Sequence, residues 1–350
     1  MLRFLTAGES HGKSLIAILE GIPAGLKINK DFIDKELTRR QTGFGRGPRM
    51  GIENDKIEIL SGLYHGITIA SPIALLIKNK DFSIDSLPTI TNPRPGHADL
   101  AGILKYGFSD IRAVLERASA RETAARVGVG AICKTFLGEF KISITSKVIE
   151  IGGATVEEVM KKKIEAAIKL KDTLGGIFEV EARNVPCGLG SYVQYDRKLD
   201  ACIAASFMSI PGIKGVEFGL GFGYAKETGS RSHDAIFHSK QRGYYRNTNN
   251  AGGFEGGMTN GENLIIRCCM KPITTLGKPL ASVDIKTKKA KLATIQRTDT
   301  CAVYAAGVIA EAMLAFELSK AVLDKFGRDS LKKIKNNYLD YKKCYLDLFF

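Results

Sequence analysis

The chain contains the stretch Ser119-Ala-Arg-Glu-Thr-Ala-Ala-Arg-Val-Gly-Val-Gly-Ala131, in which a helix start leads into a run of small side chains. Ser119 and Glu122 have the spacing of a capping box, whose two side chains bond free backbone amides of a first helical turn. A helix of alanine and glycine is thin, so neighbouring elements can approach it closely. We expect this helix to form the core.

A second apolar helix is predicted from Asp299 to Phe326. Arg297-x-Asp299 precedes it as Arg117-x-Ser119 precedes the first helix, which indicates internal duplication, with chance as the alternative. Ser119 and Asp299 can each be an N-cap, or each can belong to an anion site at a helix N-terminus. The charged residues in the second helix favour a buried helix over a membrane span.

The remaining pattern predicts a mixed α+β fold. Apolar, β-branched runs indicate strands at 57–60, 68–77, 142–149, 177–182 and 215–222. Helical periodicity covers 32–40, with Asp31 as N-cap, and 156–170. Residues 224–263 form a polar loop, long enough to suggest a functional role. We treat 1–330 as one unit of two related halves and 331–350 as a charged, loosely docked tail.

The net charge of +14 fits a nucleic-acid surface, an acidic membrane surface or a pocket for small polyanions. The lysine clusters are typical of solvated faces. The arginines instead lie beside glycines, prolines and helix starts, where a guanidinium fork can bind phosphate or carboxylate. They favour the anion pocket.

Two of the five histidines, His11 and His97, are each next to a glycine in a turn that also holds serine or arginine. This setting suits proton delivery to a phosphate leaving group, although a turn histidine can also simply bond backbone. No histidine spacing indicates a metal site. Seven cysteines without a CxxC pair, and a polar N-terminus without a signal peptide, predict a reducing, cytoplasmic location.

The segment Ala7-Gly-Glu-Ser-His-Gly-Lys-Ser14 resembles a degenerate phosphate-binding P-loop. That motif requires a following helix, but residues 15–22 favour a strand. A P-loop nucleotidase therefore remains an alternative that the pattern disfavours. A second alternative is RNA binding through the loop from Arg39 to Arg49, which lacks an aromatic stacking platform.

Six motifs in order resemble the chorismate synthase family, from the first residues to about Phe326. They are Gly8-Glu-Ser-His-Gly12, Arg39-Arg40-Gln41, Arg94-Pro-Gly-His-Ala-Asp99, Ser119-Ala-Arg-Glu-Thr123, Asn250-Ala-Gly-Gly253 and Lys271-Pro-Ile-Thr-Thr275. The resemblance implies a lyase that removes phosphate from 5-enolpyruvylshikimate 3-phosphate by 1,4-elimination to give chorismate. It also implies a requirement for reduced FMN without net redox change, and a homotetramer with a β-α-β layered sandwich fold.

The resemblance assigns roles residue by residue. His11 would protonate the departing phosphate, His97 would set the protonation of the flavin, and Asp299 would help to remove the ring proton through the flavin. Substrate binding would fall on Ser10, Arg40, Arg46, Arg49, Arg94, Arg121 and Arg297. Flavin contacts would come from Arg117, Ala118, Ser119, Pro211, Gly212, Gly256, Lys271, Pro272, Ile273, Thr274, Thr275 and Arg297.

Arg40 and Arg46 match family positions attributed to a pyridine nucleotide, and we assign them to substrate because guanidinium groups fit its anions. Ala118 replaces a common serine, and backbone amides can serve in its place. The segment around 186–199 is shorter than in longer bacterial members of the family. We expect this difference to affect subunit contacts or a loop that covers the site, and not the chemistry. Without a GxGxxG element or the length for a reductase domain, the chain is predicted to be monofunctional. NADPH would then act only through a separate flavin reductase, and no nucleic-acid or membrane partner is expected.

Overall fold

The computed structural model of the chain describes residues 1–47, 54–241, 243–296 and 298–347, the last four by their backbone only. The helices are α1 (Lys30–Gln41), α2 (Asp99–Tyr106), α3 (Arg112–Ala118), α4 (Thr123–Gly138), α5 (Glu157–Leu170), α6 (Leu199–Met208), α7 (Gly229–Ser232), α8 (Val303–Phe326) and α9 (Leu331–Asp347).

Half of the strands in the described residues belong to two four-stranded antiparallel sheets, and the other half form small two-stranded hairpins. In chain order they are β1 (Arg3–Ala7), β2 (Ser14–Glu20), β3 (Ile57–Ile59), β4 (Leu63–Tyr64), β5 (Ile67–Thr68), β6 (Ile73–Lys78), β7 (Ser143–Ile151), β8 (Gly176–Arg183), β9 (Ile213–Phe218), β10 (Ile236–Ser239), β11 (Gly243–Arg246), β12 (Phe254–Glu255), β13 (Met258–Thr259), β14 (Leu264–Met270), β15 (Ala281–Val283) and β16 (Ala290–Leu292).

The first sheet has the order β1-β2-β6-β3 and the second the order β7-β8-β14-β9. Period-two burial explains how the first sheet meets the core. On β2, Leu15, Ala17 and Leu19 are buried, whereas Ile18 between them is exposed. One face of this strand therefore belongs to the main hydrophobic core.

The small-residue helix predicted from the sequence is confirmed as α4, which packs against α8. A Cβ atom added at Gly130 would lie 2.2 Å from the Cβ of Ala312, so the glycine is required for this close approach. Helix α4 also contacts β2 and β6 of the first sheet, and α8 contacts β7 and β8 of the second. The core thus joins helices and sheets in one mixed fold.

The helix starts differ from the predictions. Ser119 caps a 3-10 turn at Ala120–Glu122, and α4 begins only at Thr123. The Glu122 carboxylate accepts from Thr6 and Arg126, so the capping box is not closed.

Asp299 is not an N-cap, because α8 begins at Val303. Its carboxylate accepts instead from the backbone amide of Gly47, a tertiary partner that the local sequence does not reveal. The sequence indicated duplication because Ser119 and Asp299 were both read as helix N-caps. Since Asp299 does not cap α8, the two helix starts do not match in this respect.

Several helix and strand boundaries also differ from the predicted ones. Helix α1 is capped by Asn29, whose side chain accepts from the amides of Asp31 and Phe32, so the prediction of Asp31 as cap was wrong. The strand predicted at 68–77 is divided, because Ala70 has a φ of 62° and β6 begins at Ile73. The long loop at 224–263 contains the hairpins β10–β11 and β12–β13.

Residues Leu331–Asp347 of the charged C-terminal segment form the helix α9, not a loosely docked tail. Its apolar residues recur at helical spacing, and Leu331, Ile334 and Tyr338 are buried. The ring of Tyr338 meets that of Phe326 edge to face at 5.3 Å. None of the helices in the described ranges combines the length and apolarity that crossing a membrane requires.

Candidate functional site

A cavity of about 490 Å³ collects most of the predicted site residues. It lies where the turn after β1, the segments before α2 and α4, the end of α3 and the segment after β14 meet. Its walls include Ser10, His11, Arg40, Arg46, Arg94, His97, Ala118, Ser119, Arg121, Pro211, Gly212, Lys271, Pro272, Ile273, Thr274, Thr275 and Asp299. Five of the six motifs, which are far apart in sequence, therefore converge on this cavity, whereas the motif at 250–253 does not line it.

Two predicted flavin residues do not line this cavity. The guanidinium group of Arg117 donates to the carbonyl oxygens of Gly8 and Thr6, each at 2.9 Å, and thereby holds the turn after β1. Gly256 lies in the tight turn between β12 and β13. Arg49 and Arg297 lie outside the described residues.

Arg40 and Arg121 form a buried cationic pair around one carboxylate. Nη1 of Arg121 lies 2.6 Å from Oδ1 of Asp55, and Nη1 of Arg40 lies 3.4 Å from Oδ2. Burial lowers the pKa of Arg40 to about 10, with Asp55 opposing the shift and the charges of Arg121 and Arg46 adding to it. Two guanidinium groups against one carboxylate leave positive charge that an anionic ligand can neutralise.

Asn79 links this cationic pair to the turn that carries His11. Its side-chain oxygen accepts from Nε of Arg121 at 2.9 Å, and its amide nitrogen donates to the carbonyl of Gly12 at 2.7 Å. Asp55 and Asn79 were both missed by sequence reasoning, because an isolated aspartate or asparagine carries no local pattern that reveals such partners.

Arg94 and His97 share Asp99, which begins α2. Asp99 accepts from Nε of Arg94 at 2.8 Å, and Nδ1 of His97 lies 2.5 Å from its other oxygen. Burial alone would raise the pKa of Asp99, but the hydrogen bonds from His97 and Arg94 lower it well below its usual range. Arg94 also donates to the hydroxyl of Thr275 at 2.8 Å, which joins this cluster to the segment after β14.

His11 is held in the same manner by a carboxylate. Its Nδ1 lies 3.0 Å from Oε1 of Glu116, a residue of α3 that is only 3% exposed. Next to it, the hydroxyl of Ser119 donates to that of Ser10 at 3.1 Å. Both cavity histidines therefore have an acidic partner, and Glu116 is a further residue that the motifs did not indicate.

Asp299 meets Arg46 across the cavity wall. Nη1 of Arg46 lies 2.6 Å from Oδ2 of Asp299, and the amide of Gly47 donates to Oδ1 at 2.6 Å. Burial lowers the pKa of Arg46, and the charge of Asp299 opposes that shift. The arrangement brings together a predicted substrate cation and the predicted base.

The segment Lys271–Thr275 continues β14 into the cavity wall. The amide of Lys271 donates to the carbonyl of Gly212 at 2.9 Å, and its ammonium group donates to the carbonyl of Gly96 at 2.5 Å. Burial, followed by the charge of Lys214, lowers the pKa of Lys271. This wall combines a cation with the apolar side chains of Leu115, Ile210 and Met270.

Buried guanidinium groups beside two histidine–carboxylate pairs define the site of an enzyme that handles small polyanions. In the described part of the chain, no group of three or more His, Cys, Asp or Glu is placed to hold a metal ion. The P-loop alternative fails on local structure, because β2 and not a helix follows Ala7–Ser14.

The comparisons with known proteins agree with one another. The family model described as chorismate synthase matches residues 2–323. The chorismate synthase of Caldanaerobacter subterraneus subsp. tengcongensis is 55% identical, over 97% of this chain and 98% of that protein. That of Thermoanaerobacter pseudethanolicus is 52% identical, over the same shares of the two chains.

A solved structure described as a crystal structure of chorismate synthase superposes with a TM-score of 0.81 at 43% identity. The superposition covers 99% of this chain and 98% of the other. The chain belongs to the chorismate synthase family.

Proposed function

We propose that the chain is a lyase that converts 5-enolpyruvylshikimate 3-phosphate to chorismate by 1,4-elimination of phosphate, the last common step of aromatic amino-acid biosynthesis. One observation carries this proposal: residues of motifs spread from Gly8 to Thr275 meet in one cationic cavity, in a chain that the family model covers almost completely.

The substrate has two carboxylates and one phosphate, and the arginines supply their counter-charges. Arg40, Arg94 and Arg121 are buried, so their cationic groups act in a medium where water screens them little. Ser10 and Arg46 belong to the proposed substrate set on the cavity wall. Arg49 and Arg297, which lie outside the described residues, are assigned to the same set by the family resemblance. Binding several anions at once fixes the orientation of the reacting bonds.

His11 supplies the proton for the departing phosphate, and its contact with Glu116 holds the ring for that step. His97, whose Nδ1 lies beside Asp99, holds or transfers a second proton within the same cavity. Asp299 assists removal of the ring proton, and Arg46 and Gly47 hold its carboxylate in place. Each of these roles needs a proton held or moved at a defined atom, as general acid–base catalysis requires.

The wall beside Lys271 fits FMN, because apolar side chains suit a flat aromatic ring and Lys271 suits its phosphate. Bound reduced FMN supplies transient electron donation without net redox change. The residues proposed to hold it are Ala118, Ser119, Pro211, Gly212, Lys271, Pro272, Ile273, Thr274, Thr275 and Arg297. Arg117 would contribute by holding the turn at Gly8, and Gly256 remains a prediction without cavity contact.

We also propose a β-α-β layered sandwich of two duplicated halves. The support is that α4 packs against α8, that α4 contacts the first four-stranded sheet, and that α8 contacts the second. Residues 1–330 would form one catalytic unit, with α9 appended to it.

A homotetramer, a cytoplasmic location and a separate NADPH-dependent flavin reductase complete the proposal. These three rest on the family and on the sequence. NADPH-driven reduction of FMN by the purified chain alone would contradict the monofunctional assignment.

The test is to mix the protein anaerobically with reduced FMN and 5-enolpyruvylshikimate 3-phosphate, and to follow chorismate absorbance and phosphate release. We expect the two products to appear in equal amounts, and neither to appear with oxidised FMN. Bound flavin without product would contradict the proposed reaction.

A further inference from the structure

Glu116 holds the turn that carries His11 through three contacts. Its carboxylate meets Nδ1 of His11 at 3.0 Å and accepts from the backbone amide of His11 at 2.8 Å. Its own carbonyl accepts from the amide of Ser10 at 3.0 Å. Glu116 itself is not part of the cavity wall, although Leu115 and Ala118 on the same helix are.

The carboxylate of Glu116 is a hydrogen-bond acceptor in this setting. Burial would raise the pKa of Glu116, but the hydrogen bonds from His11, together with the charge of Arg112, lower it below its ordinary value. Nη1 of Arg112 lies 3.6 Å from Oε1 of Glu116, and the same guanidinium group donates to the carbonyl of Pro88 at 3.1 Å. Among the residues that the structure describes, the charged groups facing Glu116 are thus His11 and Arg112.

An ionised carboxylate only accepts hydrogen bonds, so Nδ1 of His11 must carry a proton. Nε2, the second ring nitrogen, is then the atom left to exchange a proton with the substrate, because Nδ1 is held by its hydrogen bond to Glu116. A partner carboxylate of this kind fixes both the tautomer and the orientation of a histidine ring.

We propose that Glu116 is a positioning residue that fixes His11 as an Nε2 proton donor to the departing phosphate. This inference rests on the proposed function, in which His11 is the acid. In the step, His11 starts as the doubly protonated ring: its Nε2–H bond breaks and an O–H bond forms on the phosphate, which leaves with the electron pair of the C–O bond. Glu116 keeps its negative charge, and Nδ1 keeps its proton.

A structural role alone would act differently from a positioning role. In a chain with alanine at position 11, the backbone amide still bonds Glu116, but the ring contact is absent. In that background a substitution at Glu116 can no longer change turnover through the position of the His11 ring, because the ring is absent. Interaction through His11 therefore appears as non-additivity in a double-mutant cycle.

The experiment compares the wild type, Glu116→Gln, His11→Ala and the double variant, using chorismate formation with reduced FMN. Glu116→Gln is expected to lower kcat by roughly 10- to 100-fold, a part of what a general acid supplies. KM for the substrate should stay within about 3-fold, because Glu116 does not line the cavity. In the His11→Ala background the same substitution should change kcat less than about 2-fold.

Glu157→Gln, on an exposed carboxylate paired with Lys161, is the control and should match the wild type. If Glu116→Gln does not fold by thermal unfolding, Glu116→Asp takes its place, since it keeps the charge and shortens the reach to Nδ1. Equal fold-losses in both backgrounds, or a rise in KM without loss of kcat, would overturn the positioning role. A wild type that makes no chorismate would instead overturn the proposed function, and with it this inference.

Discussion

Asp55 and Arg121 are joined by a buried ion pair, with Nη1 of Arg121 2.6 Å from Oδ1 of a carboxylate that has no exposed surface. Arg40 approaches the other oxygen of the same carboxylate at 3.4 Å. Asp55 therefore orients two cations that line the cavity without lining it itself.

Replacing Asp55 tests this shared carboxylate. Asp55→Asn is expected to cost about 3–5 kcal/mol of unfolding free energy, because two guanidinium groups lose their buried counter-charge. KM for the substrate should also rise, since both arginines lose their orientation. Urea unfolding and steady-state kinetics measure the two effects. Asp324→Asn, at an exposed pair with Arg328, is the control and should change stability by less than about 1 kcal/mol.

The proposed catalytic roles of the two cavity histidines are tested by truncation. His11→Ala and His97→Ala should each lower kcat by about 10²–10⁴-fold, the range expected for loss of a positioned proton donor. His238→Ala, at an exposed histidine of the β10–β11 hairpin, should leave turnover unchanged. Near-full activity in both cavity variants would refute the assigned roles.

The approach of α4 to α8 depends on Gly130. Gly130→Ala places a Cβ 2.2 Å from that of Ala312, and we expect a loss of about 1–3 kcal/mol in unfolding free energy from overpacking. Gly138→Ala lies on the same helix with nothing within 4 Å of the added atom. It should be neutral or stabilise by up to about 1 kcal/mol. The contact is disproved if the two variants unfold at the same denaturant concentration.

The lowered pKa of Asp99 predicts that the folded protein loses stability in acid. Its folded-state pKa is below the ordinary value of 3.8, so the stability that it contributes is fully present above that value. That contribution is lost as the pH falls toward the folded-state pKa. Unfolding free energies from about pH 6 to about pH 3 should therefore fall more steeply for the wild type than for Asp99→Asn. Parallel curves would show that Asp99 is not the group responsible.

Thiol reactivity should follow burial. Burial raises the pKa of Cys133 and Cys268 to about 12, which keeps both as unreactive thiols at neutral pH. Cys269 is exposed on β14 beside Cys268. Alkylation followed by peptide mass analysis should label Cys269 before Cys133 and Cys268, which should react only after denaturant is added. Early labelling of Cys133 would contradict its place in the core.

The sequence predicted the cavity walls better than the contacts behind them. Glycine, proline and arginine motifs around His11, His97 and Arg121 carry local signals, because a turn or helix start needs those residue types. Asp55, Asn79 and Glu116 carry none, since each acts through a partner at least several dozen residues away. The same limit applies to Asp299, whose role as an N-cap was wrong because a distant amide competes for it.

The presence of helices and strands was predicted more accurately than the residues at which they begin and end. The strand over 177–182 and the helix over 156–170 were confirmed as β8 and α5 within about one or two residues, the usual difference between assignments. Helix α9 was missed because its lysines suggested a solvated tail, whereas Ile334 and Tyr338 at helical spacing dock it on the core.

Asn79 has a consequence for how the site can change over evolutionary time. The side-chain amide of Asn79 bonds both Arg121 and the backbone at Gly12, so it links the proposed anion-binding cation to the turn of His11. We expect a mutation that shifts one of them to act on the other through this link. If Arg121 and His11 have the proposed roles, evolution of a new anion specificity at Arg121 would also affect proton delivery by His11.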